Sequence, residues 1–305
     1  MRKKNSTVNI AVVMGGKSSE RVVSLSTGQQ CSLALKDLGY TVTEIDASID
    51  IVQSLSRLNP DVIFNALHGQ FGEDGIIQGC FEWLGIPYTH SGVLASALAM
   101  NKQKAREIFQ LNRLPIANGF ITDSKSLLQG HPMRVPYVIK PNNEGSSCGI
   151  YFVHEAANGP PQLGDDLPSQ VMVEQYVKGR ELTTTVMGDR ALGVTEIITN
   201  GWYDYDAKYS AGGSRHEVPA ALPDEITEAC LDYALRAHDV LGCRGVSRTD
   251  FRWDDNQGLD GLFLLETNTQ PGMTPTSLSP EQAQVQGISF GALCRWIVED
   301  ASCQR

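Results

Sequence analysis

Residues 264–280, LLETNTQPGMTPTSLSP, put an acid and an amide two residues apart at the end of an apolar stretch. Side chains along a strand alternate with period two. That spacing predicts one shared face for Leu262, Leu264, Glu266 and Asn268. By the same count, Arg248 and Asp250 in VSRTDFRW share a face of a second strand. Pairing the two strands through the short DDNQGLDG segment would gather Asp250, Glu266 and Asn268 into an oxygen-rich cluster. Hard cations such as Mg²⁺ take such ligands, usually with nucleotide phosphates completing the shell. The plain alternative is a pair of strand ends carrying solvated acids.

Three further segments carry groups suited to chemistry. In VIKPNNEGSSCGI a strand delivers Lys140 into a Gly/Ser loop. Backbone N–H groups and hydroxyls in such a loop can cradle phosphates, and the lysine adds charge. The pattern GxxxxGK[ST] is absent, so this is not a P-loop. In VEQYVKGREL, Glu174 and Glu181 bracket a strand–turn–strand, where carboxylates can accept hydrogen bonds from an amino group and from ribose hydroxyls. In ALHGQFGEDGIIQG, His68 follows a buried strand, the place where α/β proteins hold ligands. Taken singly, each has a bland reading: a flexible hairpin, solvated glutamates, a structural histidine.

The elements that would position these groups follow from periodicity and turn residues. Residues 8–90 read as βαβ units. VNIAVVM is a strand, GGKSSE a turn opening a helix with Ser18 or Ser19 as N-cap, and Gly39 the stop of that helix. TVTEID and VIFNAL are further strands, and Ile77, Phe81 and Leu84 mark one stripe of an amphipathic helix. Alternating strands and helices imply a parallel sheet with ligand groups at strand carboxyl ends. From SGVLASALAMNK to about Leu111 the chain reads as helical, and PYVIK, IYFV, QVMVEQYV, ELTTTVMG and ALGVTEI make a strand-rich middle. Residues 200–222 are polar, aromatic and Gly-containing, and a loop of that length is expected to be a lid or binding loop. Ile226, Ala229, Tyr233, Ala237 and Val240 mark another helix, and Phe290, Leu293 and Ile297 the last one.

Composition excludes several classes. The chain has 305 residues, 41% hydrophobic and 20% charged, enough for two or three domains with real cores. A net charge of −10, with no basic tract beyond RKK at the start, argues against nonspecific nucleic-acid binding. No apolar run approaches the roughly 20 residues of a membrane helix. The basic-then-apolar start runs straight into Gly-Gly and reads as a first strand, not a signal peptide. Seven scattered cysteines without CxxC spacing suit a reducing cytoplasm and argue against a thiolate zinc site.

Together these pieces resemble the ATP-grasp superfamily, and within it the D-alanine–D-alanine ligases. The resemblance covers nearly the whole chain. It is carried by GGKSSERVVSL, HGQFGEDGIIQG, SGVLASALAMNK, KPNNEGSSCGI, EQYVKGRE, YDAKY, RTDFRW and ETNTQPGMTPTSL, in family order. Asn101 stands where the family often has Asp, and Thr267 where it often has a hydrophobic residue. Neither departure removes a group that the chemistry needs.

The resemblance implies an α/β (α+β) ATP-grasp fold of three α/β domains with the active site between them. These would be a substrate domain over 1–100, a central ATP-grasp subdomain over 101–181, and a C-terminal one over 182–305 bearing the metal ligands and the 200–222 lid. It implies ATP-dependent ligation of two D-alanines through a D-alanyl phosphate, for peptidoglycan precursor synthesis. Lys102, Lys140 and Lys208 would contact ATP phosphates, and Glu174 and Glu181 would hold adenine and ribose. Asp250, Glu266 and Asn268 would bind two Mg²⁺, with Mn²⁺ as a substitute. Glu20 would take the ammonium of the first D-alanine, with His68 nearby. Arg248 and the N–H of Gly272 would stabilise the oxyanion, while Ser277 and Leu278 would bind the carboxylate of the second D-alanine. Ser146 and Tyr209 would link the lid to Glu20. No nucleic-acid or membrane partner is implied, and a homodimer is allowed. The rival functions are a D-alanine–D-lactate ligase, disfavoured by Tyr209, and an inactive ATP-grasp nucleotide-binding protein, disfavoured by the retained metal ligands and Arg248. A dinucleotide oxidoreductase is weaker still, since VVMGGKSSE lacks GxGxxG.

Overall fold

The computed structural model describes residues 7–145, 149–154, 157, 161, 163–164, 167–199, 214–275 and 277–304. Strand β1 (Asn9–Met14) is buried from Ile10 through Met14, the pattern of a parallel strand covered on both faces. It pairs in parallel with β2 (Thr41–Asp46) and β3 (Val62–Asn65) in the order β2-β1-β3. The crossovers are α1 (Arg21–Asp37) and α2 (Ile51–Leu58). Gly39, at φ +86, ends α1 as expected. The start of α1 differs from expectation, because Glu20 and neither serine occupies the N-cap position. Ser18 instead donates its hydroxyl to the His68 carbonyl at 2.6 Å and accepts the Glu20 N–H at 3.3 Å.

Helix α3 (Ile76–Leu84) buries Ile77 and Phe81 and half-buries Leu84, the predicted stripe. The helical stretch after residue 91 breaks into α4 (Val93–Met100) and α5 (Lys102–Leu111). Asn101 causes the break: its backbone is extended and its side chain caps α5 by accepting the Lys104 N–H at 3.0 Å. An asparagine therefore does the capping here that an aspartate would do equally well.

The strand-rich middle forms two antiparallel sheets. The first contains β4 (Gly119–Asp123), β5 (Tyr137–Pro141), β6 (Tyr151–Val153) and β7 (Gln170–Gln175), in the order β4-β7-β5-β6. The second contains β8 (Arg180–Met187), β9 (Arg190–Ile198), β10 (Arg215–Glu217), β11 (Val246–Trp253) and β12 (Leu262–Asn268), in the order β10-β9-β8-β11-β12. β4 and β10 are short, half-exposed edge strands without apolar alternation, so periodicity does not reveal them. Helix α6 (Asp224–Leu241) covers the second sheet with Ile226, Cys230, Ala234, Ala237 and Leu241. The predicted stripe is thus rotated, and Ala229, Tyr233 and Val240 flank the buried face. Helices α7 (Leu278–Val285) and α8 (Phe290–Asp300) complete the chain, and Leu293 and Ile297 of α8 share a core with Ile10 and Val12 of β1. The last helix packs against α1, and this core joins the two ends of the chain.

One predicted face is corrected. Asp250 lies opposite Glu266, but its neighbour Phe251 lies opposite Leu264, so Leu265 is an extra residue in β12. This bulge reverses the alternation. Leu262 and Leu264 face the core, while Glu266 and Asn268 face the other way, on the side of Arg248 and Asp250. Without the bulge, continued alternation would drive Glu266 into the core, where an unpaired carboxylate is costly.

Among the described residues no helix is long and apolar enough to cross a membrane. Cys31, Cys80, Cys230, Cys243, Cys294 and Cys303 carry free thiols.

Candidate active site

The ends of β1 and β3 define one wall of a cavity. Buried Ser24 of α1 accepts the Gly15 N–H at 2.8 Å and donates to the Ala66 carbonyl at 2.8 Å, tying the two strand ends together. The loop after β3 is held by Asn65, whose amide donates to the Gly72 carbonyl at 3.1 Å and accepts the Leu67 N–H at 3.2 Å. These contacts fix Glu20 and His68 side by side. A Cβ on Gly69 would come within 2.9 Å of the Glu20 carboxylate, and one on Gly145 within 3.0 Å, so either side chain would push that group from its place.

His68 is buried between two partners, with Nδ1 2.9 Å from Glu73 Oε1 and Nε2 2.9 Å from Thr27 Oγ1. Burial pulls the imidazole pKa down, but the Glu73 hydrogen bond and the charges of Glu73 and Glu20 outweigh it, and the net direction is upward. Burial likewise raises the Glu73 carboxyl, against the pull of His68. The pair is therefore positioned to hold a proton between them next to Glu20.

The opposite wall comes from β11 and β12. Arg248 grips Asp250 with a fork, Nε to Oδ1 and Nη2 to Oδ2, both at 2.8 Å. Thr183 Oγ1 donates to the same carboxylate at 2.5 Å. Glu266 pairs with Lys102 of α5 at 3.2 Å, and Lys102 also donates to the Glu144 carbonyl at 2.6 Å. The third side is the loop before α7. Ser277 Oγ accepts the Thr274 N–H at 3.0 Å and lies 2.7 Å from Thr274 Oγ1, which holds Ser277 and Leu278 at the cavity edge.

These walls enclose about 430 Å³, lined by Glu20, His68, Lys102, Arg248, Glu266, Asn268, Gly272, Ser277 and Leu278. A slot of about 100 Å³ adjoins it through Lys102, Glu144, Gly145 and Glu266, and adds Lys140, Glu174, Glu181 and Asp250. The sequence candidates that lie among the described residues thus meet in one pair of connected cavities. Ser146, Lys208 and Tyr209 fall outside the described residues, as does most of the predicted lid.

Several lining or supporting residues were not predicted. Gln270 donates to the Leu67 carbonyl and so ties the β12 loop to the β3 loop. Arg252 donates to the Val177 carbonyl at 3.2 Å and the Gly179 carbonyl at 3.0 Å and pairs with Glu181 at 3.3 Å, holding the turn that carries it. Its position two residues after Asp250, on the same strand face, was the available signal. His216 of β10 lines the cavity and lies 2.8 Å from Glu281 of α7. Arg106 and Gln282 act from behind the lining.

The oxygens of β11 and β12 form a donor set for a divalent cation. Asp250 and Glu266 face each other across an antiparallel pair, with Asn268 two residues further on the same face. All offer hard oxygen, which suits Mg²⁺. Among the described residues no three His, Cys, Asp or Glu side chains converge on one point. A cation here would take two carboxylates and the amide, and would need further oxygens from its substrate.

Comparison with known proteins finds one family over most of the chain. A family model described as D-ala D-ala ligase C-terminus matches residues 123–299, and one described as D-ala D-ala ligase N-terminus matches residues 47–91. A D-alanine–D-alanine ligase of Ruegeria sp. (strain TM1040) is 63% identical over 296 residues, covering 97% of this chain and 97% of that protein. One of Cereibacter sphaeroides (strain ATCC 17025 / ATH 2.4.3) is 64% identical, covering 97% and 96%. The crystal structure of a D-alanine–D-alanine ligase from Bacillus anthracis complexed with ATP superposes with a TM-score of 0.78 at 27% identity, covering 96% of this chain and 97% of that one. The fold is the α+β ATP-grasp fold expected from the sequence.

Proposed function

The chain belongs to the D-alanine–D-alanine ligase family, and from that membership we propose how its residues perform an ATP-dependent ligation of two D-alanines. The observation that carries the reading is the pair of connected cavities, with Glu20 at one end, Lys102 and Glu266 at their junction and a slot lined by Lys140, Glu174 and Glu181 beside them. The product dipeptide serves peptidoglycan synthesis.

Glu20 accepts hydrogen bonds from the ammonium of the first D-alanine, supported by the His68–Glu73 pair. This directs the substrate carboxylate towards Arg248 and the phosphate-binding side. Lys102 and Lys140 neutralise the nucleotide phosphates, while Glu181 and Glu174 line the slot for ribose and adenine. Asp250, Glu266 and Asn268 would hold Mg²⁺, which supplies charge neutralisation across the phosphates.

The carboxylate oxygen attacks the γ-phosphorus, ADP leaves, and a D-alanyl phosphate forms. Phosphoryl transfer asks for positioning and charge more than covalent help. The second D-alanine, its carboxylate held at Ser277 and Leu278, then attacks the acyl carbon with its free amine. The oxyanion so formed lies against the Arg248 guanidinium and the Gly272 N–H, each worth about 3 kcal/mol in comparable sites. Collapse expels phosphate, which carries away the original carboxylate oxygen and takes up the proton that the attacking nitrogen loses. Water would hydrolyse the acyl phosphate, so the cavity must close. That task is assigned to residues 200–222, with Lys208 reaching phosphate and Tyr209 linking through Ser146 to Glu20.

The division at 100/101 and 181/182 is proposed as three units, the first supplying Glu20 and His68, the second Lys102, Lys140 and Glu174, and the third Arg248, Glu266 and Asn268. Reaction mixtures of ATP and Mg²⁺ with D-alanine, alone or with D-lactate, test the assignment by mass spectrometry. Dipeptide, ADP and phosphate are expected. Depsipeptide in excess at neutral pH, or AMP with pyrophosphate, would overturn it.

A further inference from the structure

Behind the nucleotide slot lies a buried charge triad with more cations than anions. Glu174 of β7 is 2% exposed, and both its oxygens are taken. Arg106 Nη1 donates to Oε1 at 2.5 Å, and Lys140 Nζ donates to Oε2 at 2.7 Å. Arg106 and Lys140 are themselves buried, at 5% and 7% exposure. Two positive charges therefore share one negative charge.

The sequence builds this arrangement locally. Glu174 lies opposite Val138, so Lys140 is its diagonal neighbour on the same sheet face, within reach of a long side chain. On its other side Glu174 lies opposite Gly119. A Cβ on Gly119 would stand 3.1 Å from Arg106 Nη2 and 2.9 Å from the Val173 carbonyl, so the glycine opens the passage for the guanidinium. Arg106 Nη2 is locked by the Ala117 carbonyl at 2.5 Å. Arg106 sits one helical turn after Lys102 on α5, so one helix face serves both cations. Lys140 and Glu174 line the slot, whereas Arg106 lines neither cavity described above.

We propose that Arg106 is a positioning residue for nucleotide binding: it carries the charge of Glu174 from behind, so that Lys140 keeps a net positive charge for the polyphosphate. With Glu174 and Lys140 alone the pair would be neutral, and the lysine would be spent on its partner. The inference rests on the reading of Lys140 as a phosphate ligand. A charge effect weakens sharply charged ligands and spares neutral ones, whereas a loosened α5 would deform the slot for both.

The test compares binding of ATP, ADP and adenosine by calorimetry to the whole protein and to four variants, with melting curves for each. Arg106→Met should weaken ATP and ADP by about tenfold or more, roughly 1.4 kcal/mol, while changing adenosine little. Arg106→Lys, which keeps the charge, should lose much less. The decisive variant is Arg106→Met with Glu174→Gln, which restores a net charge of one and keeps an acceptor in the slot. It should regain most of the ATP affinity lost by Arg106→Met. Failure of that recovery, or equal weakening of adenosine and ATP, overturns the proposal. Lys140→Met separates the premise from the inference. If it leaves ATP affinity intact, the phosphate reading of Lys140 fails and the inference with it. If Lys140→Met weakens ATP but Arg106→Met does not, only the inference fails.

Discussion

Replacing Gln282 with methionine should damage both stability and the second-substrate site, although Gln282 touches no substrate. The β8–β9 pairing shifts register between Thr184 and Val186, where Leu192 and Gly193 of β9 stand against the single Thr185, and Thr185 has no register partner on β9. The buried Gln282 amide fills the gap. It accepts the Thr185 N–H at 2.8 Å and donates to the Thr183 carbonyl at 3.0 Å and to Thr195 Oγ1 at 2.9 Å. Methionine keeps the shape and removes all of these. At about 1 kcal/mol net per hydrogen bond, with an orphaned N–H adding ~1–3 kcal/mol, the loss is roughly 4–6 kcal/mol. For a chain of this length that lowers the melting temperature by roughly 5–10 °C. Gln282 lies in α7, whose first residue is Leu278 and whose N-cap is Ser277. A loosened α7 should therefore raise KM for the second D-alanine more than KM for ATP. Calorimetric melting and two-substrate kinetics read both effects. A melting temperature within about 1 °C of wild type, with unchanged KM values, would refute the idea that this amide anchors the helix.

Other expectations follow from the cavity walls. Glu266→Gln keeps shape but removes a carboxylate opposite Asp250, and turnover should fall at least roughly a hundredfold, near 3 kcal/mol; near-normal turnover at saturating Mg²⁺ would refute its assignment. Glu20→Gln should raise KM for the first D-alanine by about tenfold or more while sparing ATP, since a hydrogen bond to a charged group contributes ~1.5–3 kcal/mol; equal effects on both substrates would reduce Glu20 to a helix-end residue. The raised His68 pKa means that the folded protein holds a proton the unfolded chain releases. Its stabilising effect is complete below the ordinary 6.5 and drains as pH rises through the folded value. The raised Glu73 carboxyl acts in the same direction from below its ordinary 4.5. Melting temperature should thus decline more steeply from pH 6.5 upward in wild type than in His68→Gln, and parallel curves would contradict the pairing.

Much of the site was legible because its groups sit in contiguous motifs at strand ends. A strand repeats every two residues, so Arg248 and Asp250 could be placed on one face from spacing alone. The same rule failed at Glu266, because a bulge is one inserted residue and leaves no mark on apolar periodicity. Long-range support was invisible for a different reason. Gln282, Arg106 and Gly119 are ordinary residues for helix or edge, and their roles arise only where separate segments cross. The edge strands β4 and β10 lack a buried face and so lack the alternation that reveals a strand. The rotated face of α6 reflects small buried residues, Ala234 and Cys230, which carry less hydrophobic signal than the flanking Tyr233 and Val240.

The acyl phosphate is tested most directly by following oxygen. D-alanine labelled with ¹⁸O in both carboxylate oxygens is incubated with ATP, Mg²⁺ and the protein, and the released phosphate is weighed by mass spectrometry. Attack of the Glu20-oriented carboxylate on the γ-phosphorus predicts one ¹⁸O in phosphate for each dipeptide formed, with ADP unlabelled. Unlabelled phosphate alongside dipeptide, or label appearing in AMP, would contradict it.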